Sequence, residues 1–377
     1  MDLLYCGDEH MRDGLLISLL SLLEHTTVPL NVHVLTATID VDGEQWSPLK
    51  QEDIDYLDRL VRQSPYSGGV ELIDVTEQFK AQPPTANLKT RFSPYCMLRL
   101  YADLVDLPDR ILYLDTDVVC KSDPSELWQA DMHNRQIAGV PDHFGFILPT
   151  ANWFTKPFCY LNSGVLLLNM PYIRETGLFA KCRDLCSRKR MFLCDQTAIN
   201  RLARKRRVLP RRFNEQIKTR PDTILRHFTT TLHMTKPHTI TVKPWDVPRM
   251  HSVLDEHAYD TLLQQYQHHI ARMDDGLDDD SGDNFSKNLD GNPGDDLGDN
   301  PNNGLDLQGQ TGLALLQEEG PKEPEGTEPE VLESAALEGE EEPRESESEV
   351  LAEEPKTEPL TEPIPESMSE PAAEPIR

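Results

Sequence analysis

The chain has 377 residues and a formal net charge of −28, and the charge is concentrated at one end, where residues 274–377 hold 32 acidic side chains against 5 basic ones. Residues 1–273 are therefore nearly neutral and large enough to bury a single-domain core, whereas the acidic part has one aromatic residue, Phe285, and repeated Glu-Pro pairs, too little apolar surface to offset chain entropy. The composition excludes a disulfide framework and a cysteine zinc site, because the seven cysteines are scattered and form no CxxC pair, and it excludes a membrane span, because the longest apolar run, Leu15 to Leu23, is broken by Ser18 and Ser21.

Two parts are expected: a folded domain over residues 1–273 and a disordered acidic tail over 274–377. The tail reads first as a solvated, solubilising appendage, and second as an occupant of a basic surface of the folded domain. The chain opens on Met-Asp-Leu-Leu-Tyr rather than on a charged and apolar leader, so a cytoplasmic protein is expected.

In chain order, Leu3 to Tyr5 predicts a short buried strand and Gly14 to His25, apolar on nearly every face, a core helix. Asn31 to Thr36 follows as a strand, completing a βαβ unit with a right-handed crossover. Gln51 to Gln63 is a helix and Val70 to Val75 a strand. A helix over Pro94 to Leu104 starts with Ser93 as N-cap and proline at its first position. The strand Arg110 to Leu114 runs into Asp115-Thr116-Asp117, which puts two carboxylates at the carboxyl end of a sheet strand, where open α/β sheets bind ligands. Strands over Gln136 to Val140, Gly164 to Asn169 and Thr223 to Phe228, and helices over Tyr172 to Arg190 and Asp195 to Ala203, complete one α/β domain on a mainly parallel sheet that ends near Tyr266.

An Asp-x-Asp turn after an apolar strand offers hard oxygen ligands for a divalent cation that would bridge phosphates and act as a Lewis acid. Alone, the triplet is equally a solvated turn or a helix cap, so its surroundings decide. ILYLDTDVV (111–119), followed by Pro124 and Leu127-Trp128, resembles the metal-binding segment of family 8 glycosyltransferases, which include bacterial lipooligosaccharide galactosyltransferases and glycogenin. MDLLYCGDEH (1–10), YCMLRLYADLV (95–105), YLNSGVLLLNM (160–170), CDQTAIN (194–200) and VKPW (242–245) are similar to further pieces of that family in the same order.

The resemblance implies a GT-A-type nucleotide-sugar-binding fold and a retaining transfer of glucose or galactose from a UDP-sugar to a saccharide, glycolipid or glycoprotein acceptor. It assigns Cys6, Gly7, Asp8 and His10 to the nucleotide, with a small buried residue as the alternative for Cys6. Arg99 falls where the family places an arginine that reaches the donor; the alternative is a surface arginine paired with Asp103. Thr116 lies between the metal aspartates, and Asn162, Ser163 and Gly164 stand at the family's Asn-Ala-Gly position facing the donor sugar.

Asp195 is implied to hold sugar hydroxyls, and Gln196 to set its side-chain carbonyl near the anomeric carbon; a residue that starts a helix and bonds backbone is the other reading of Gln196. Amides are poor nucleophiles, so a front-face path through an oxocarbenium-like ion pair suits Gln196 better than a covalent intermediate. Lys243 is implied to touch diphosphate. The family's metal-ligating histidine has three candidates: His238 is preferred on its spacing to Lys243, His227 is the alternative, and His233 a spectator. An imidazole in the shell favours Mn²⁺, with Mg²⁺ second.

The basic run over Arg201 to Arg212, with Arg188 to Arg190 upstream, lacks the interleaved aromatics of a nucleic-acid site. It reads as a solvated helix face or as a patch for anionic acceptors or a membrane surface. Acceptor contacts are expected from loops such as His143 to Phe158. Two rivals remain, a UDP-sugar hydrolase and a non-catalytic sugar-nucleotide-binding module.

Overall fold

In the computed structural model the described residues are 1–90, 92–143, 160–233 and 238–275, with the side chains of 232, 233, 238 and 239 excepted. Residues 144–158 of the expected acceptor loop and the tail from 276 onward lie outside them. Along the chain run β1 (Asp2–Cys6), α1 (Arg12–His25), β2 (Asn31–Thr36), β3 (Ile39–Val41), β4 (Glu44–Trp46), α2 (Gln51–Gln63), β5 (Gly69–Asp74) and α3 (Thr76–Ala81). After a 3-10 helix over Pro94–Leu104 come β6 (Arg110–Leu114), β7 (Val118–Cys120), α4 (Ser125–Trp128), β8 (Ile137–Pro141), β9 (Leu161–Asn169), α5 (Met170–Thr176), α6 (Leu178–Arg188) and α7 (Cys194–Leu202). Short strands β10 (Arg206–Val208), β11 (Leu225–His227), β12 (Thr231–His233) and β13 (His238–Ile240) precede α8 (Val247–Ser252) and α9 (Asp260–Asp274).

Seven strands form the central sheet in the order β10-β8-β9-β6-β1-β2-β5. The pairs β1 with β2, β1 with β6, β2 with β5 and β10 with β8 are parallel, and β9 runs antiparallel between β6 and β8. Side chains of a strand alternate between faces, and the core follows that period. Leu3, Tyr5, Leu112, Leu114, Val165 and Leu167 join α1 in one apolar cluster. Leu4, Ile111, Tyr113, Leu166 and Leu168 join the 3-10 helix, α6 and α7 in the other. Both faces are thus covered, which is why these strands read as continuous apolar runs.

The single helix expected over Tyr172 to Arg190 is two. Gly177, at φ +62°, ends α5 in the left-handed conformation that glycine adopts without a Cβ clash, and α6 starts from it. β9 begins at Leu161, so Asn162 and Ser163 lie inside the strand with Gly164 rather than before it. The Pro94–Leu104 segment has the expected Ser93 cap, which accepts from Tyr95 N, but is wound as 3-10 turns. α9 carries the domain to Asp274, beyond Tyr266.

Candidate active site

One tight turn and one short ladder make the site. At the end of β6, Asp115 N donates to Gly164 O in β9 (2.8 Å) and Val118 N returns to Asp115 O (3.1 Å), so the backbone turns tightly and leaves into β7. β7 then pairs antiparallel with β11, His227 opposite Val118, and Phe228 N donates to Asp117 O (3.0 Å). This ladder brings His227 to the carboxylates: its Nε2 lies 3.1 Å from Asp117 Oδ1 and 3.7 Å from Asp115 Oδ2. Gly164 makes room for the ring, since a Cβ there would stand 2.2 Å from His227 Cε1 and 2.7 Å from Asp115 Oδ2.

Asp115 is held from below. Its Oδ1 accepts from Arg99 Nη2 (2.8 Å) and from the Tyr113 hydroxyl (2.7 Å), and the guanidinium lies 4.1 Å above the Tyr113 ring centre. Arg99 is 4% exposed; Nε donates to Cys96 O (2.9 Å) and Nη1 to Ser163 O, and Nε also stands 3.2 Å from Asp195 Oδ2. It is therefore an interior cation tying Asp115, Asp195 and β9 together, and the surface pairing with Asp103 falls away because Asp103 pairs with Arg183. Asp117 has the opposite surroundings. Burial works against its charge, but Lys243 Nζ on Oδ2 and His227 on Oδ1 outweigh burial and hold the carboxyl far below the usual range. Asp195 is raised: burial dominates, with Arg99 opposing it and Asp115 adding to it.

Of the other expected donor-side residues, Ser163 and Gly164 touch this group directly, Ser163 O accepting from Arg99 and Gly164 O from Asp115 N. Cys6 ends β1, its thiol pushed up to about 12 by burial, with the charges of Arg99, Asp115 and Asp195 acting on it. Gly7 N donates to Leu35 O (3.1 Å), and its own Cβ would meet Met11 Cβ at 2.8 Å. Asp8 caps the following 3-10 turn by accepting from His10 N (3.0 Å), while the His10 side chain faces solvent. The Thr116 hydroxyl is turned to Met11 Sδ (3.3 Å). Asn162 Oδ1 accepts from Gly164 N and from Asn214 Nδ2 (3.0 and 2.9 Å). Gln196 Oε1 accepts from both Ser163 N (2.9 Å) and Ser163 Oγ (3.2 Å), so the backbone contact weighed for it is present.

Asp142 was not foreseen. Its Oδ2 accepts from Asn162 Nδ2 (2.9 Å) and Gln196 Nε2 (3.0 Å), orienting both amides. The signal was present, because Asp142 follows the β8 strand as Asp115 follows β6. Tyr113 was legible too, two residues before Asp115 and hence on the same strand face. Of the histidines, the structure brings His227 to the aspartates. The preferred His238 pairs with His233 in the β12–β13 hairpin, and its side chain lies outside the described residues.

The basic run is not a helix face. It spans the end of α7, the edge strand β10 and a 3-10 turn at Arg211–Phe213, and much of it is paired: Arg207 donates to Asp131 O, Arg211 meets Glu215 and Asp222, and Arg212 meets Glu126. Among the described residues no helix is long and apolar enough to cross a membrane.

Two carboxylates and an imidazole, each offering one ligand atom within 4.8 Å of the others, suit a divalent cation, and Lys243 beside them suits a neighbouring anion. A mostly parallel sheet with such a turn at its carboxyl edge is the GT-A glycosyltransferase fold. The galactosyltransferase LgtC, solved with donor and acceptor sugar analogues, matches at TM-score 0.52 and 18% identity over 71% of this chain and 96% of that one. An active-site mutant of LgtC matches at TM-score 0.52 and 17% identity over 72% and 95%.

The family described as glycosyl transferase family 8 matches residues 2–247, and the chain belongs to it. A lipopolysaccharide 1,3-galactosyltransferase of Salmonella typhimurium is 26% identical over 228 residues, 56% of this chain and 62% of that one. A putative glycosyltransferase of Haemophilus influenzae is 25% identical over 185 residues, 48% of this chain and 52% of that one. The chain thus spans little more than half the length of these curated relatives.

Proposed function

We propose that the protein transfers a hexose, glucose or galactose, from a UDP-sugar to a saccharide, glycolipid or glycoprotein acceptor, with retention of configuration and dependence on Mn²⁺. The observation that carries this reading is the Asp115–Asp117–His227 group with Lys243 on Asp117. In this proposal the metal ligands are Asp115, Asp117 and His227, in place of His238, with Mn²⁺ preferred to Mg²⁺ because one ligand is an imidazole. The bound ion would supply Lewis-acid stabilisation of the departing diphosphate.

The chain's own residues do the remaining work. Lys243, a third exposed, meets diphosphate charge from the solvent side of Asp117. Arg99 fixes Asp115 so that the carboxylate needs no reorganisation when the donor arrives. The nucleotide lies against Cys6 to His10, with Asp8 offering its carboxylate to a base or ribose N–H or O–H. Asp195 and the amides of Asn162 and Gln196, oriented by Asp142, hold the sugar hydroxyls. Gln196 Oε1 already accepts two hydrogen bonds, which lowers its nucleophilicity further and favours a front-face path in which the leaving diphosphate takes the acceptor proton. The cytosol is the expected compartment, with peripheral contact to a membrane where the acceptor is a glycolipid.

The test is turnover of a panel of UDP-sugars with and without Mn²⁺, with the anomer of the product read by NMR. One UDP-hexose should turn over only with the metal, giving an α-linked product from its α-linked donor. Metal-independent turnover or an inverted product would overturn the reading, and release of free sugar alone across a broad acceptor panel would make the protein a UDP-sugar hydrolase.

A further inference from the structure

At the carboxyl end of the domain, His251, His257 and Asp260 form a second cluster, none of whose members belongs to the aspartate site. His251 stands in the last turn of α8 and Asp260 opens α9. Between them the chain folds back, Asp255 N donating to His251 O (3.1 Å) and Glu256 N to Met250 O (3.0 Å), with Asp255 itself at φ +50°. The fold-back lays the His257 ring on the His251 ring, with centres 4.6 Å apart and planes 16° from parallel. Both imidazoles address one carboxylate: His251 Nε2 is 2.8 Å from Asp260 Oδ1, and His257 Nδ1 is 3.3 Å from Asp260 Oδ2.

We propose that this cluster is a binding site for a zinc-class divalent cation that clips the end of α8 to the start of α9. Ligand atoms about 2.0–2.2 Å from a tetrahedral ion lie roughly 3.3–3.5 Å apart. The three candidate atoms already lie within 4.8 Å of one another on partly exposed side chains, and because each lone pair lies in its ring plane, one imidazole must rotate out of the present stack to aim at the same ion as the other. Two imidazoles and one carboxylate favour zinc over the oxygen-preferring cations, and water completes the shell. Each imidazole binds as the neutral ring through the nitrogen that now faces Asp260, keeping its proton on the other nitrogen.

For His257 that other nitrogen has its own carboxylate, since Nε2 lies 3.8 Å from Asp255 Oδ1. A carboxylate behind a ligating histidine fixes the ring and the tautomer that presents the free lone pair to the ion. Closing that 3.8 Å gap to a hydrogen bond as the ion binds would make Asp255, an exposed side chain at a left-handed backbone position, the positioning residue of the site.

The test uses the full chain with zinc chloride, reading stoichiometry by equilibrium dialysis and the zinc-induced shift in Tm. Wild type and His227→Ala should each bind an equivalent that is absent from His257→Gln and from Asp260→Asn, and the part of the zinc-induced rise in Tm that His227→Ala retains should vanish with it. The two latter variants alter partly exposed side chains, and their zinc-free Tm reports that they fold. Asp255→Asn should retain the equivalent with affinity lower by about tenfold or more. Unchanged stoichiometry, affinity and zinc-induced Tm shift in His257→Gln and Asp260→Asn would overturn the proposal.

Discussion

Asp115 and Asp117 are two residues apart and do different work because different cations reach them. Asp115 is gripped from the core side by Arg99 and Tyr113, so its position is inherited from the sheet; Asp117 is met by Lys243 and His227, so its position depends on the carboxyl-terminal segment. His227 links the two, and its ring fits only because residue 164 has no side chain. His227→Ala should therefore weaken Mn²⁺-dependent donor turnover by on the order of 100-fold, recoverable in part at high metal concentration, whereas His238→Ala should change it little. Steady-state rates against Mn²⁺ concentration decide; the reverse ranking would return the ligand to His238. Spacing to Lys243 favoured His238 in the sequence because spacing is blind to ladders. His227 reaches Asp117 through the β7–β11 pairing, a contact between residues more than a hundred positions apart.

At the scale of elements, the strands and helices that carry the site were largely legible, because buried parallel strands announce themselves as apolar runs and Asp-Thr-Asp follows β6 directly. What escaped was local punctuation. Asp42-Gly43, both at positive φ, is the turn of the β3–β4 hairpin and a readable signal; Gly177 breaks a helix whose apolar pattern runs on across it. The site itself was legible where it lies on strand ends, and illegible where side chains select among several partners, as Arg99 and Gln196 do. One element-level contact governs the Asp115–Asp117 turn: α1 approaches so closely at Gly14 that a Cβ there would stand 2.7 Å from Trp245 Cζ3 and 2.8 Å from Thr116 O. Gly14→Ala must displace α1, the Thr116 turn or the Trp245 segment. A destabilisation of about 1–3 kcal/mol is expected from such overpacking, together with a raised Mn²⁺ requirement. Denaturant unfolding alongside metal titration checks both, and loss of stability with an unchanged metal requirement would show that α1 moves instead of the turn.

At the scale of the whole molecule, the chain joins a nearly neutral domain to a strongly charged segment, and the two parts should be separable. Among the described residues both apolar clusters draw their members from residues 1–273, and α9 closes over α1 through Tyr266 on Asp13 (2.9 Å) and Arg12 on Asp274 (2.8 Å). Truncation after Asp275 keeps these contacts, so Tm and donor turnover should equal those of the full chain. Cutting earlier, after Tyr266, removes the Arg12–Asp274 pair and the apolar contacts of Ile270 and Met273, and should lower Tm. The charge effect is of another kind. Removing residues 276–377 takes away almost the whole net charge of −28, and with it the long-range repulsion between the chain and any anionic surface. Binding to anionic vesicles should then strengthen at low salt, and the gain should disappear at about 0.15 M salt and above, where the Debye length falls to roughly 8 Å. Vesicle co-sedimentation across a salt series reads this directly. A gain that persists at high salt would mean that truncation uncovers an apolar contact rather than relieving repulsion, and a truncated chain that fails to fold would move the domain boundary past Asp275.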